Sequence, residues 1–276
     1  MEAVGARLRY AIVIAVIALL GQPVRVEGQS CALPDSVRAL VPNAPPPAGA
    51  YSMVWRGETS FGASLGVGHL HYSGGGAASA GPPGENDWLG RVELPLSESP
   101  DAEPWGWIVG GWVVRDGSTP EPLRSGTLVE TGYEEPSFIV LEENADGWLR
   151  IRHASTDTEI QTSWTPTCAL QSSPAALRFT RWNDWFLSGE TSPLFFRSEM
   201  PQTLRSGASR ESSPLAEISG DYILEPLEIR GEWMRVALKQ PSDYCLVDVE
   251  STSTEGWVRW YSEETGSRVW YFTRGC

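Results

Sequence analysis

The hexapeptide GEWMRV, residues 231–236, carries the clearest structural signal in this chain. A near copy, DGWLRI, stands 85 residues earlier, at 146–151. In both stretches apolar residues alternate with Trp or Arg, and a period of two is typical of a β-strand with one buried face. The duplication therefore indicates two small β-modules of one kind, each with this strand at its centre.

Alternation divides the side chains of each strand between two faces. The residues predicted to face a core are Met234, Val236 and Leu238 in the second copy, and Leu149 and Ile151 in the first. The opposite faces carry Trp233 and Arg235 in the second copy, and Trp148, Arg150 and Arg152 in the first. An aromatic plane beside a guanidinium group suits the docking of a peptide or a sugar. The alternative interpretation is structural, in which each Trp closes its own barrel and each Arg packs over it.

The rest of the chain has the pattern of an all-β protein. After residue 30, turn residues recur roughly every eight to twelve positions between runs rich in Val, Ile, Trp and Tyr. No segment sustains an apolar period of 3.6 residues. The stretch ALRFTRWNDWFL (176–187) is the one place where a short helix would fit, and strand or loop is the favoured prediction there.

The N-terminal residues have the pattern of a secretory signal peptide. A basic start precedes the apolar run AIVIAVIALL (11–20), which is too short to span about 30 Å of hydrocarbon comfortably. Removal of residues 1–28, with cleavage before Gln29, is expected to yield a secreted or periplasmic protein with no membrane span. Cleavage before Cys31 would allow a lipid anchor, but Gly28 stands where such signals carry Leu, which argues against it.

The four cysteines are Cys31, Cys168, Cys245 and Cys276. An even number in an exported chain indicates disulfides, and four cysteines allow three connectivities. The favoured pairing is Cys245–Cys276, which would tie the last strand to its own domain, with Cys31–Cys168 following by elimination.

The second copy resembles the bacterial SH3 (SH3b) family. LRSGASRESSPLAEISGDYILEPLEIRGEWMRVAL (204–238) is similar to that family's opening strand, loop and central Trp strand, and GWV (256–258) to its closing strand. The first copy is similar through DGWLRIR (146–152), with TSWTP (162–166) in place of GWV. The resemblance implies two tandem SH3-like barrels in a bacterial envelope protein.

The predicted organisation follows from the two copies. It consists of a signal peptide (1–28), a Pro-rich tether (29–49), a β-rich segment of unknown type with a Gly-rich loop (50–89), a first SH3b-like module (90–170), a linker (171–199) and a second module (200–276).

The resemblance implies non-catalytic binding of a peptide, cell-wall or protein ligand. The residues predicted to bind it are Trp233, Arg235, Trp257, Tyr222, Trp148 and Arg150. A structural or assembly protein of the cell envelope, in which the Trp faces pair the modules, is the alternative. No catalytic residue, metal or cofactor is expected. The oligomeric state stays open.

Net charge excludes one class of partner. The formal charge is −14, with a single lysine at Lys239. Because no basic stripe is present, nucleic acid and anionic membrane surfaces are not expected as partners.

Two short motifs leave a lesser alternative, a hydrolase that uses residues 50–89. GASLG (62–66) fits the G-x-S-x-G nucleophile elbow, but the following residues favour a strand where the elbow needs a helix. His69 and His71, two apart on a strand, would share one face, as two metal ligands do. A third ligand is not evident from the sequence.

Overall fold

A computed structural model of the chain describes residues 31–44, 51–52, 65–73, 88–123, 128–132, 135–155, 160–189, 191, 193–197, 201–218, 222–239, 254–264, 266–271 and 273. The fold is all-β, as the sequence predicts.

The first half of the chain contains α1 (Asp35–Arg38), β1 (Tyr51–Ser52), β2 (Gly68–Tyr72), a 3₁₀ turn (Leu89–Arg91), β3 (Glu93–Leu96), β4 (Gly106–Val109), β5 (Trp112–Val114), β6 (Glu121–Pro122), β7 (Leu128–Gly132), β8 (Glu135–Glu143), β9 (Trp148–Ser155), β10 (Ile160–Pro166), α2 (Cys168–Ser172) and β11 (Leu177–Arg181). The helix α3 (Trp182–Leu187) follows. The second half contains β12 (Leu194–Phe196), β13 (Gln202–Arg205), β14 (Pro214–Ile218), β15 (Ile223–Arg230), β16 (Trp233–Lys239), β17 (Thr254–Arg259), β18 (Tyr261–Ser262), β19 (Gly266–Ser267) and β20 (Val269–Tyr271).

The first half builds a large sheet around β8. One edge of β8 pairs with β2, and the other pairs with β7 along its first residues and with β9 along its last. Since β11 pairs with β2 and β10 with β9, the sheet contains the antiparallel order β11-β2-β8-β9-β10. Just after β3, Ser97 joins Trp164 of β10 through two backbone hydrogen bonds of 2.9 Å.

The second half repeats this arrangement. Its antiparallel order is β20-β12-β15-β16-β17-β13-β14. Strands β2, β3, β8, β9, β10 and β11 therefore have the same chain order and the same neighbours as β12, β13, β15, β16, β17 and β20. The duplication includes β2 from the predicted segment 50–89 and β11 from the predicted linker 171–199, so both segments supply strands to the repeat. Strand partners are a long-range property that local composition does not show.

The first half also contains an inserted sheet. Its order is β3-β4-β5-β6. Leu94, Ile108 and Val113 on one face pack in a core with Phe138 and Leu149 of the large sheet. This core, which we call the first core, lies between the two sheets of the first half.

The N-terminal segment docks on the other face of the inserted sheet. Leu33 packs there with Trp107, Val109 and Val114, and Cys31 forms a disulfide with Cys168. The described part of the predicted tether, residues 31–44, is thus packed against the fold, since its few apolar side chains find a partner face. The Cys31–Cys168 pairing is confirmed, and Cys245 and Cys276 lie outside the described residues.

The two halves share a second core within one compact unit, Cys31–Cys276. This shared core combines side chains of the first sheet, of α3 and of the second half. Its members include Leu65, Val129, Ile139, Trp182, Phe186, Leu224, Met234, Val258, Trp270 and Tyr271.

Helix α3 corrects the prediction of strand or loop for 176–187. The first part of that stretch is β11, but Trp182–Leu187 is helical. Trp182 and Phe186, one helical turn apart, are fully buried with their rings stacked at 5.9 Å. The Trp182 indole nitrogen donates a hydrogen bond of 2.7 Å to the Leu65 carbonyl. Tertiary burial forms this helix, which is too short to display a helical period in the sequence.

Candidate functional site

The outer face of the second sheet carries the Trp and Arg side chains of the repeated motif. Met234, Val236 and Leu238 of β16 are buried in the shared core. Trp233, just before Met234, and Arg235, between Met234 and Val236, are partly exposed on the opposite face. The two faces predicted for this strand are confirmed.

Trp257 lies at the centre of this outer face. On β17 it is directly opposite Arg235 of β16, and across its other edge it is opposite Arg205 of β13. The guanidinium carbon of Arg230 lies 5.1 Å from the centre of its ring, within cation–π range. Only 7% of Trp257 is exposed, so neighbouring side chains cover most of the indole. We call Arg205, Arg230, Trp233, Arg235 and Trp257 the Trp257 face.

Glutamates hold these guanidinium groups in place. Glu228 accepts a hydrogen bond of 2.6 Å from Nε of Arg230, and its other oxygen lies 3.4 Å from Nε of Arg235. Glu255 accepts a bond of 3.0 Å from Nη1 of Arg235. Such exposed pairs contribute little stability, each about 0–1 kcal/mol. Their effect here is to orient two guanidinium groups that neighbour the same indole.

The chemistry of the Trp257 face is recognition. Guanidinium N–H groups donate to carboxylate or carbonyl oxygens in a planar geometry. An indole provides an apolar stacking surface beside them. None of the five side chains is a nucleophile or a general base at neutral pH.

Tyr222 does not join this face. Leu224 and Leu238, which are opposite each other on β15 and β16, both belong to the shared core. Tyr222 precedes Leu224 by two residues and packs against the same core. The structure thus brings Trp233, Arg235 and Trp257 together and places Tyr222 on the other side of the sheet.

The first half carries an equivalent row of residues. Arg150 of β9 is directly opposite Trp164 of β10 and opposite Glu142 of β8, to which it is paired at 3.2 Å. Glu142, Arg150 and Trp164 therefore correspond to Glu228, Arg235 and Trp257. Trp148 and Arg152, on the same side of β9, are buried, and burial lowers the pKa of Arg152 to about 10. Each face thus has one partly exposed indole, Trp164 in the first half and Trp233 in the second.

Sequence reasoning missed Glu228, Arg230 and Arg205. The signal that could have found Glu228 and Arg230 is the triplet EIR (228–230), which directly precedes the turn at the start of GEWMRV. Simple alternation misassigns them, because a β-bulge between Pro226 and Glu228 shifts the register of β15. A bulge stands at the same place in β8, just before Glu142.

His69 and His71 share one face of β2, as the sequence predicts, with ring centroids 4.9 Å apart. Nε2 of His71 is 2.9 Å from the Thr180 hydroxyl. His69 is fully buried, and burial lowers its pKa well below the ordinary value, with a smaller effect in the same direction from His71. Within the described ranges no group of three His, Cys, Asp or Glu residues is placed to hold a metal ion.

The GASLG motif is described only at Leu65 and Gly66, and Ser64 lies outside the described residues. After Gly66 the chain enters β2, where a nucleophile elbow would require a helix. Gly66 has φ +62°, and a Cβ added there would collide with the Val140 carbonyl. This glycine therefore has a structural reason, a left-handed backbone packed against a neighbouring strand.

Neither a protein-family model nor a curated protein sequence matches this chain. In the part of the chain that the structure describes, no helix combines the length and apolarity needed to cross a membrane.

Proposed function

We propose that this is an exported, non-catalytic binding protein built from two SH3b-like modules, with a peptide, cell-wall or protein ligand. The observation that carries the proposal is the position of Trp257, in register between Arg205 and Arg235 and beneath Arg230. A ligand with carbonyl or carboxylate groups would accept hydrogen bonds from the guanidinium groups and contact Trp233. The Cys31–Cys168 disulfide fits an oxidising compartment.

Strand order supports the SH3b-like assignment. Each half contains a three-stranded meander with the Trp strand at its centre, β8-β9-β10 in the first half and β15-β16-β17 in the second. The strand before the opening loop, β3 or β13, pairs at its end with the last strand of that meander. Ser97 in the first half and Arg205 in the second occupy this pairing position, opposite Trp164 and Trp257.

The alternative is a structural or assembly protein of the cell envelope. It is favoured by the burial of Trp148 and Arg152 in the first half, since a buried Trp face serves packing. A hydrolase using residues 50–89 is a lesser alternative, for which the described residues of that segment offer the His69–His71 pair alone.

Binding to purified cell-wall sacculi and to an envelope extract tests the proposal. The full mature chain is expected to be retained on one of them, and Arg235→Ala is expected to reduce retention at least tenfold. Lys239→Ala is the control, because it removes a charged side chain and an exposed ion pair, to Glu225, from the end of the same strand, β16. No retention on either material, or equal retention of both variants, would contradict the proposal.

A further inference from the structure

The first sheet meets helix α3 along a contact that we call the seam, formed by His69, Ile139, Trp182, Trp185 and Tyr271. Ile139 of the first sheet and Trp182 of α3 belong to the shared core with Tyr271 of β20. The Trp185 indole nitrogen donates a hydrogen bond of 2.8 Å to the Tyr271 hydroxyl. That hydroxyl donates one of 2.7 Å to the Thr131 carbonyl of the first half. The seam thus connects both halves through α3.

His69 is the polar side chain at the centre of the seam. It is fully buried, and its ring centroid lies 4.4 Å from that of Trp182, 5.0 Å from that of Trp185 and 4.9 Å from that of His71. All three neighbouring rings meet it at a steep angle, between 68° and 86°. Among the described residues neither of its ring nitrogens has a hydrogen-bond partner. A neutral imidazole is tolerated among aromatic rings, but a charged one would lack both solvent and an acceptor.

The charged groups of the surrounding elements offer His69 no compensation. On β2, His71 is the neighbour, and its charge lowers the pKa of His69. On β11, Arg181 is paired with Glu143 of β8 at 2.6 Å. From β20, the Tyr271 hydroxyl is already engaged on both sides.

Four carboxylates remain on β7, β8 and α3. Asp184 of α3 and Glu135 and Glu142 of β8 are exposed, and Glu130 of β7 is buried. None of the four is among the causes that shift the pKa of His69, which are burial and His71. No carboxylate of the described residues therefore stabilises an imidazolium at this position.

We propose that the seam is an acid-released joint, in which α3 detaches from the first sheet and protonation of the exposed His69 favours this open state. The proton comes from solvent and binds a ring nitrogen once opening has exposed it. Detachment of α3 removes Trp182 and Trp185 from the first sheet and loosens the connection between the halves. The N-terminal segment stays attached through the Cys31–Cys168 disulfide.

The direction and size of the pH effect follow from proton binding. In the closed seam His69 is neutral, whereas in the open seam it titrates with an ordinary pKa of about 6.5. Above that pH neither state binds the proton and opening does not depend on pH. Below it the open state binds one more proton, so the opening constant rises about tenfold per pH unit.

Hydrogen exchange of the full mature chain, followed by mass spectrometry and corrected for intrinsic rates, measures this opening. Between pH 6.5 and 5, protection of the α3 amides (Trp182–Leu187) is expected to fall about tenfold per pH unit. The β4 amides (Gly106–Val109), in the inserted sheet, are expected to stay better protected than the α3 amides throughout this range, because they exchange only when the first half itself unfolds. Equal and simultaneous loss in both segments would mean global unfolding and would overturn the proposal, as would constant protection of α3.

Two variants and a control assign the proton to His69. His69→Phe and His69→Leu are expected to remove the pH dependence of α3 protection while leaving protection at pH 8 within tenfold of the original. His153→Leu, which removes another buried imidazole, on β9, is expected to keep the pH dependence of α3 protection. If either His69 variant kept the original slope, the joint would not depend on this residue. If neither variant folds, the comparison of α3 with β4 in the unaltered chain decides.

Discussion

Arg235 lies directly opposite Trp257 across β16 and β17, and Arg150 lies opposite Trp164 across β9 and β10. In both halves a glutamate completes the row, at the residue that follows a β-bulge. The two halves therefore repeat the same three-dimensional arrangement of strands, including the β-bulge before the glutamate. A β-bulge changes which residues of a strand face a given partner. Because a bulge precedes the glutamate in both halves, each glutamate lies opposite the Arg that neighbours the indole.

The two rows and their neighbours differ in which indole is exposed. Trp148 and Arg152 beside Arg150 are buried, whereas Trp233 beside Arg235 is partly exposed. Within the rows the difference is reversed, because Trp164 is partly exposed and Trp257 is buried.

Trp257→Ala is expected to destabilise the protein by about 3 kcal/mol, because truncation of a buried Trp loses its packing and leaves a gap. Trp233→Ala, at the partly exposed position on the same face, is expected to cost less than about 1.5 kcal/mol. Denaturant unfolding of both variants measures the difference. A loss for Trp233→Ala as large as for Trp257→Ala would favour the structural alternative over the binding one.

Gly66→Ala is expected to cost at least about 2 kcal/mol. The residue has φ +62°, and an added Cβ would collide with the backbone carbonyl of Val140. Gly189→Ala is the matched control, because Gly189 also has positive φ, +83°, but open space beside it. The control is expected to show only the backbone strain, about 1 kcal/mol. Equal unfolding free energies for the two variants would remove the role of the Val140 contact.

The sequence predicts what depends on neighbours along the chain. Alternation in β16 correctly places Met234 and Val236 in a core, and the repeated Trp motif correctly indicates a duplicated β-fold. Alternation fails for Tyr222, the residue predicted to share a face with Trp233. A β-bulge shifts the register of β15 between Pro226 and Glu228, so Tyr222 lies on the opposite side of the sheet.

Long-range pairing accounts for the rest of what the sequence did not show. β11 and β2 join the repeat through pairing between residues more than a hundred positions apart. Helix α3 forms because Trp182 and Phe186 find a buried site, and its own six residues carry too little helical signal. Such features require the positions of other elements, which composition and spacing do not supply.

Disruption of the Cys31–Cys168 disulfide by the double Ser variant is expected to cost about 3 kcal/mol. The bond closes a loop with a sequence separation of 137, and long loops lose the most chain entropy on crosslinking. The N-terminal segment is expected to undock, exposing Leu33 and the Trp107 face of the inserted sheet. Unfolding free energy and proteolysis within residues 31–44 measure the two effects. Arg38 of this segment also pairs with Glu93 of β3 at 2.8 Å. An unchanged cleavage rate would mean that the packing of Leu33 and this ion pair alone hold the segment.

His153 is expected to make the first half sensitive to acid. Burial, with the charge of Arg115 as a smaller cause, lowers its pKa to about 4 although a backbone hydrogen bond opposes the shift. In the unfolded chain its pKa is about 6.5, so the folded state has its full stability above that pH. As the pH falls from 6.5 towards 4, the unfolded state binds the proton first, and the free energy of unfolding drops by about 1.4 kcal/mol per unit, up to about 3 kcal/mol. Urea unfolding at pH 7 and pH 4.5 measures the drop, and His153→Leu is expected to reduce it by about 2 to 3 kcal/mol. If this variant showed the same pH dependence as the original chain, the acid sensitivity would belong to other groups, His69 among them.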